Sequence, residues 1–149
     1  MAKKKESAAA GKKAKKEQLF HIGKRRMAVA KISIRPGSGR ITINGEPLQN
    51  VKSDVLRLRM QEPFILTEKD EWKAYDFIAT VKGGGTMGQA DAVRQAFARG
   101  LAGIFGGELR QKFLDYDRSM LVYDPRRTEP HKPPRSSQGP RRAKQKSKR

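Results

Sequence analysis

Residues 77–105 constrain the fold of this chain more than any other stretch, because they read as a strand, a glycine turn and a helix in immediate succession. Apolar and polar residues alternate over 75–82, which predicts a strand with one buried face. Residues 83–85 are all glycine, which tolerates positive φ and lets a partner approach the backbone closely. From Gln89 onward, apolar residues recur at spacings of three and four, which predicts a helix ended by the glycines at 106–107.

The glycine turn has the position in which anion-binding loops occur, since the first N–H groups of a helix lack intrahelical partners and lie at the positive end of its dipole. Gly83, Gly85 and Gly88 match the dinucleotide fingerprint G-x-G-x-x-G. That fingerprint also needs a second parallel strand and an acidic residue about 20 positions later, a distance that falls among residues 103–107. The Lys-Ser or Lys-Thr pair of a P-loop is absent. Two further interpretations stay open: a purely structural turn, and a turn that contacts nucleic-acid phosphates.

The net charge of +19 over 149 residues is concentrated at the two ends of the chain. Residues 1–19 carry +5 in a low-complexity Lys and Ala sequence, which predicts a disordered basic arm. Residues 20–125 also carry +5 and have the normal size of one small domain. Residues 126–149 carry +9, and five of the eight prolines fall between 125 and 140, which predicts an extended basic arm.

A charge excess of this size destabilises a compact protein by self-repulsion, so it indicates a polyanionic partner. A membrane surface is the rival, but the sequence contains no run of about 20 apolar residues and no amphipathic basic segment. The N-terminus lacks the apolar segment of a signal peptide, and the absence of cysteine excludes disulfides and Cys-based zinc sites. These features favour a nucleic-acid partner and an intracellular location.

The sequence pattern of residues 27–44 predicts a β-hairpin. Apolar residues alternate over 27–34, residues 35–40 have the composition of a turn, and residues 41–44 are expected to pair back as a short strand. Three consecutive cations stand where the chain enters this hairpin, and the total charge predicts that they meet a phosphate. These cations are Lys24, Arg25 and Arg26.

Three further segments complete the predicted domain. Ser53 is expected to cap a helix that ends at Pro63, although period-two alternation around Leu56 also permits a strand. Residues 108–117 predict a second helix. Residues 119–123 form a short apolar run that is expected to complete the sheet.

No residue pattern indicates catalysis. His21 and His131 both lie outside the predicted core. Asp115, Asp117 and Asp124 cluster among basic residues, which favours structural ion pairs over a metal site or an acid–base site. The sequence therefore predicts no enzymatic activity, and no cofactor, metal or small-molecule substrate.

Three separated motifs, in the order expected, resemble the family of small-subunit ribosomal protein S-nine: GGGTMGQADA, YDRSMLVYDPRRTEPHK and the terminal KSKR. The resemblance covers residues 20–149 and includes the GKRR entry and the PGSGRITING hairpin. GQADA, YDR and DPRRTEPHK resemble the archaeal and eukaryotic branch, whereas the KSKR ending resembles bacterial members.

The resemblance implies an α+β fold in which a small, mostly antiparallel sheet is covered by helices. It implies a left-handed βαβ crossover like that of ribosomal protein S-five and the GHMP kinases. It also implies a cytoplasmic protein, located in the head of the small ribosomal subunit, that binds small-subunit ribosomal RNA and neighbouring head proteins. Its C-terminal arm would reach the anticodon stem-loop of the tRNA in the peptidyl site.

On this interpretation the domain docks on RNA through the hairpin entrance and the glycine turn, while the C-terminal arm neutralises phosphates. The residues predicted to bind RNA are Lys24, Arg25, Arg26, Lys82, Gly83, Gly84, Gly85, Gln89, Arg94, Arg126, Arg127, Lys132, Arg135, Arg141, Arg142, Lys144 and Lys146. The residues that the resemblance implies for tRNA are Ser147, Lys148 and Arg149. Lys148 stands where the family pattern has tyrosine, which would exchange stacking for a phosphate contact.

Two alternatives from other classes are left open. A general nucleic-acid-compacting protein would use the same charge, but would leave the proline-extended arm unexplained. A nucleotide-binding enzyme with a GHMP-kinase-like fold would use residues 83–88 as its phosphate loop and would bind ATP or NAD.

Overall fold

The computed structural model describes residues 18–67 and 70–126, in which four strands are followed by a helix, a fifth strand and two more helices. Its strands are β1 (Leu19–Arg25), β2 (Ala28–Pro36), β3 (Ile41–Ile43), β4 (Glu46–Pro47) and β5 (Tyr75–Lys82). Its α-helices are α1 (Asp54–Leu66), α2 (Thr86–Phe105) and α3 (Gly107–Tyr116). Single 3-10 turns occur at Leu48–Asn50, Asp70–Ala74 and Arg118–Met120. None of these helices is long and apolar enough to cross a membrane.

The strands form one sheet in the order β1-β2-β5-β3-β4. All neighbouring pairs are antiparallel except β3 and β5, which are parallel. The predicted α+β fold with a mostly antiparallel sheet is therefore confirmed. Because α1 lies between β3 and β5 in the chain, these elements form a βαβ unit. The left-handed crossover stays a prediction.

The predicted hairpin between β2 and β3 is wrong, because β5 lies between these two strands. Residues 37–40 do turn, but they turn onto the start of β5. The Gly37 amide donates to the Ala74 carbonyl over 2.8 Å, and the Asp76 carboxylate accepts from the amides of Ser38 and Arg40 over 2.8 and 3.0 Å. Turn composition identifies a change of direction, whereas the partner strand depends on a segment more than thirty residues away.

The sequence does not predict β1 because its outward residues are apolar. Phe20 and Ile22 are 69% and 44% exposed, whereas the inward positions include half-buried His21 and buried Gly23. The backbone of α2 passes too close to β1 for larger side chains. His21 lies outside the buried core, as predicted, but it is half-buried against Gly103 of α2. Burial, followed by the charge of Arg99, lowers the pKa of His21.

The helices follow the sequence prediction with three corrections. Residues 54–66 are helical, and α1 continues through Pro63 to its last turn, where the Thr67 hydroxyl donates to the Pro63 carbonyl over 2.8 Å. Proline is tolerated at position 63 because it lies in the last turn of α1, where its missing backbone N–H costs the helix only one hydrogen bond. α2 begins at Thr86, three residues before Gln89, and ends at Phe105 with Gly106 as its C-cap, while Gly107 already begins α3.

Residues 119–123 do not form the predicted strand. Residues 119 and 120 belong to the 3-10 turn Arg118–Met120, and side chains of α2 bond carbonyls of this segment. Gln95 donates to the carbonyls of Ser119 and Val122 over 3.2 and 2.6 Å, and Arg99 donates to the Leu121 carbonyl over 3.0 Å. With these partners the segment does not need strand neighbours.

The core lies between one face of the sheet and the helices. Phe77 of β5 and Phe97 of α2 are fully buried and meet edge-to-face, with ring centroids 6.0 Å apart. Phe64 of α1 packs on Phe77 and Phe97 with centroids 5.0 and 5.1 Å apart, and on Trp72 at 5.0 Å. α1, α2 and β5 are thereby fixed in one arrangement, which sets the position of the glycine turn between β5 and α2.

Candidate nucleic-acid interface

Two turns that are about sixty residues apart in the chain meet at one end of the sheet. Arg25 pairs with Ala28 in the β1–β2 ladder, so residues 26–27 form a tight turn. Val29 pairs with Lys82, so β5 ends beside the start of β2. The hairpin entrance and the glycine turn, which the sequence predicted separately, are therefore neighbours.

The glycine turn packs directly on the β1–β2 turn. Gly83 and Gly84 have φ values of +77° and +69°, which residues with a side chain rarely adopt. A Cβ atom on Gly83 would lie 2.6 Å from the Met27 carbonyl oxygen, and one on Gly84 would lie 3.1 Å from the Ala28 amide nitrogen. The structural interpretation of these two glycines is therefore supported.

Gly85 differs from the two glycines before it. It is the N-cap of α2, has φ −99°, and a Cβ atom on it would meet nothing within 4 Å. No side chain caps this helix end, and its first turn contains no acidic residue. The Gln89 side chain donates instead to the Gly83 carbonyl over 3.1 Å, which holds the turn. The N–H groups of the first turn are thus open to an anion.

Exposed cations surround this helix end. Lys24, Arg26 and Lys82 are exposed, and none forms an ion pair with another residue of the described chain. The Lys24 amide donates to the Gln95 side chain over 2.8 Å, which ties this part of β1 to α2. We call Lys24, Arg26, Lys82 and residues 83–85 the turn face. Three cations and an open helix N-terminus give it the electrostatic character of a phosphate-binding surface.

Arg25 points away from this surface and joins elements of the domain. Its guanidinium bonds the Asp124 carboxylate, and its Nε lies 3.4 Å from Asp91 Oδ2. Arg59 of α1 bonds the other oxygen of Asp91. The Arg25 side chain therefore connects β1 to α2 through Asp91 and to the segment after α3 through Asp124.

Arg94 is buried, contrary to the prediction that it binds RNA. It is 4% exposed, and its guanidinium lies 2.5 Å from Glu62 Oε2 and 2.7 Å from Asp117 Oδ2. Burial opposes ionisation of Asp117, but bonds from Arg94 and Ser119 outweigh it and lower the pKa of that carboxyl. Because two carboxylates hold the Arg94 guanidinium inside the protein, this side chain does not reach the surface at which RNA would bind.

The aspartate cluster forms structural interactions, as predicted, but with partners that sequence proximity did not identify in full. Asp124 accepts from Arg126 and Arg25, and bonds from Arg126 are the main reason that its pKa falls to about 2. Asp115 accepts from Gln111 over 2.9 Å. In the described part of the chain, no group of acidic or histidine side chains is arranged to hold a metal ion.

Gln95 and Arg99 are the residues that sequence reasoning missed. Arg99 donates to the Ile22 carbonyl over 2.6 Å and to the Leu121 carbonyl over 2.9 Å, so this side chain of α2 links β1 to the segment after α3. The sequence signal that could have identified them is the presence of polar residues within a mostly apolar helix. Helical periodicity instead placed Gln95 and Arg99 away from the apolar face of α2. Arg127 and all predicted contacts C-terminal to it lie outside the described residues, as do residues 1–17.

The dinucleotide interpretation lacks its second strand. In the described residues α2 is followed by α3, and β5 is the last strand of the sheet. In the described residues, the G-x-G-x-x-G match therefore has no parallel strand after α2 to complete a dinucleotide site, because the strand parallel to β5 is β3, which precedes it in the chain.

The fold and the turn face define a small, strongly basic α+β protein with an anion-receptive surface at one end of its sheet. Residues 23–149 match the family "Ribosomal protein S9/S16". "Small ribosomal subunit protein uS9" of Methanococcus maripaludis (strain C5) is 45% identical over 127 residues, which cover 85% of this chain and 94% of that protein. The protein of the same name from Aeropyrum pernix is 46% identical over 130 residues, covering 76% and 86%.

The chain therefore belongs to the ribosomal protein S9/S16 family, as its motifs indicated. It is a ribosomal protein, and its location is the ribosome in the cytoplasm. Both of these relatives are archaeal, in agreement with the branch that the GQADA and YDR motifs resemble.

Proposed function

We propose that this chain is a non-catalytic structural constituent of the small ribosomal subunit that binds its ribosomal RNA. The observation that carries this proposal is the family match over residues 23–149, together with relatives that are named as small-subunit proteins. The strongly basic composition and the turn face support the RNA contact. In the head of the subunit, neighbouring head proteins are its other partners.

The folded domain docks through the turn face. Lys24, Arg26 and Lys82 supply mobile positive charge, and the amides at the start of α2 supply directional donors to phosphate oxygens. The preceding glycines let the RNA backbone approach the protein backbone. These contacts position the protein on RNA without reading base identity.

The C-terminal arm extends this contact away from the domain. Asp124 holds Arg126, so the arm starts at a fixed point beside the turn face. An extended proline-rich chain covers roughly 3 Å per residue, so residues 126–149 span on the order of 70 Å. Its nine remaining cations, Arg127, Lys132, Arg135, Arg141, Arg142, Lys144, Lys146, Lys148 and Arg149, neutralise phosphates and release counterions.

The end of the arm contacts tRNA in the peptidyl site. Ser147, Lys148 and Arg149 are the matching positions in the terminal KSKR, and the anticodon stem-loop is their partner. Lys148 and Arg149 bind phosphates, which stabilises any tRNA irrespective of its sequence.

Sedimentation tests the assignment to the small subunit. A cell lysate is fractionated on a sucrose gradient in high magnesium and the fractions are blotted for this protein. We expect it to migrate with small subunits and to stay there through moderate salt washes. Migration at the top of the gradient, or with chromosomal DNA, would support the general nucleic-acid-compacting alternative instead. ATP or NAD binding in a calorimetric titration would support the enzymatic alternative.

Deletion of residues 147–149 tests the tRNA contact. We expect weaker tRNA binding in the peptidyl site of subunits that still assemble. The matched control replaces Lys144 and Lys146 by alanine, which removes the same number of charges without shortening the arm. Unchanged tRNA affinity after the deletion, or equal loss in the control, would contradict a specific role for the last three residues.

A further inference from the structure

The sheet has one face that no element of the described chain covers. Buried positions alternate along β2 and β5 with residues on the opposite side, and α2 packs on the buried side. The side chains on the uncovered side are Phe20, Ile22, Lys24, Val29, Lys31, Ser33, Arg35, Asp76, Ile78, Thr80 and Lys82. We call this set the open sheet face.

Strand register orders these residues into rows across the sheet. Lys24, Val29 and Lys82 form the first row, whose two lysines also belong to the turn face. The second row joins Ile22 to Thr80 through the exposed Lys31 at its centre. Neighbouring rows lie about 7 Å apart, so cations and apolar side chains alternate at short range.

The third row has an unusual composition for a solvent face. It places Phe20, 69% exposed, beside Ser33, and Ser33 beside Ile78, which is 38% exposed. An exposed aromatic ring near lysines is the arrangement on which nucleic-acid-binding sheets stack unpaired bases. An aromatic ring left in water gains nothing for the isolated domain.

The charge of the open sheet face selects the occupant. This surface carries four cations and a single carboxylate. The cations are Lys24, Lys31, Arg35 and Lys82, and the carboxylate is Asp76, which already accepts hydrogen bonds from two backbone amides of residues 37–40. Both chain ends outside the described residues are also basic, so they are repelled from this face, and a second copy of the chain is repelled likewise.

We propose that the open sheet face binds a single-stranded segment of ribosomal RNA, with a base stacked on Phe20 and phosphates held by Lys31 and the lysines of the first row. This inference rests on the proposed function and extends the RNA contact from the turn face, with which it shares Lys24 and Lys82. Phe20 supplies stacking, and Lys31 supplies charge at the centre of the surface.

Ultraviolet cross-linking of purified small subunits tests the stacking contact directly. Trypsin releases residues 17–24, EQLFHIGK, as one peptide that contains Phe20. We expect mass spectrometry to find a nucleotide adduct on Phe20. Cross-linking of this peptide to a neighbouring protein instead would overturn the proposal, because a protein would then cover the face.

Competitive incorporation tests the energetic role. Each variant competes with labelled wild-type chain during reconstitution of small subunits, at two salt concentrations. We expect F20A to reduce incorporation on the order of tenfold with the same salt dependence as wild type. K31A should reduce incorporation and also weaken its dependence on salt by about one ion. The matched control is R110A, which removes an exposed cation from α3 on the helical side.

The outcomes separate this inference from the function on which it rests. Wild-type chain that does not enter small subunits contradicts the proposed function itself. Wild-type chain that enters, with F20A and K31A entering equally well, overturns only the open sheet face. Thermal unfolding of each variant confirms that the substitutions, both at exposed positions, leave the domain folded.

Discussion

Gly23 of β1 lies against Ala92 of α2 so closely that a Cβ atom on the glycine would overlap the Ala92 carbonyl oxygen and lie 2.7 Å from the Ala96 amide nitrogen. The contact is between backbones, so neither side can move aside by changing a rotamer. It fixes the distance between the sheet and the helix whose N-terminus forms part of the turn face.

Replacing Gly23 by alanine should therefore destabilise the domain by about 3 kcal/mol, since overpacking against backbone forces the helix away from the sheet. Denaturant unfolding measures the change. Gly107→Ala is the matched control, because a Cβ atom there meets nothing within 4 Å and its effect should stay within about 1 kcal/mol. Equal stability of the two variants would show that β1 and α2 separate at no cost.

Arg94→Met should cost about 2 to 4 kcal/mol of stability. The substitution keeps much of the side-chain volume but leaves Glu62 and Asp117 beside each other without their cation. Both carboxylates are partly exposed, which keeps the loss toward the lower end. Thermal unfolding provides the measurement. Arg110→Met, at an exposed position of α3, should change stability by less than about 0.5 kcal/mol. A similar loss in both variants would contradict the buried network.

The glycine turn allows structural and RNA-binding roles to be separated. Gly83→Ala should cost about 1 to 3 kcal/mol, because its φ is +77° and its new methyl group meets the Met27 carbonyl. Gly85→Ala should leave stability nearly unchanged, since its φ is −99° and the space around it is open.

We expect Gly85→Ala nevertheless to lower incorporation into small subunits, because the methyl group covers the N-terminal amides of α2. Quantitative mass spectrometry of reconstituted subunits checks this. If incorporation followed stability in both variants, the turn would have a structural role alone.

Acid should release the contact that starts the C-terminal arm. Bonds from Arg126, together with Arg25, hold the pKa of Asp124 at about 2, below its ordinary value of 3.8. A carboxyl group with a depressed folded pKa contributes stability above its unfolded pKa and loses it as pH falls through the folded value. The stability difference between wild type and Asp124→Asn should therefore be constant at neutral pH and shrink between about pH 4 and pH 2. Unfolding experiments across this range would contradict the assignment if the difference did not change.

Local sequence determined the elements whose signals are contained within one segment. Alternation over 75–82 identified β5, and helical spacing after the glycine turn identified α2, because a single buried face imposes its own period on the residues. The charge of +9 over residues 126–149 identified the basic C-terminal end. Motifs spread over the chain identified the family, which composition alone left open.

Tertiary structure decided everything that depends on segments far apart in the chain. β3 pairs with β5 instead of β2, β1 carries its apolar residues outward, and Arg94 is enclosed by carboxylates from α1 and from the turn after α3. The turn face exists only because the β2–β5 register brings Lys82 beside the β1–β2 turn. Sequence periodicity reports which side of an element is buried, but the identity of the neighbour depends on the free energy of packing the whole domain.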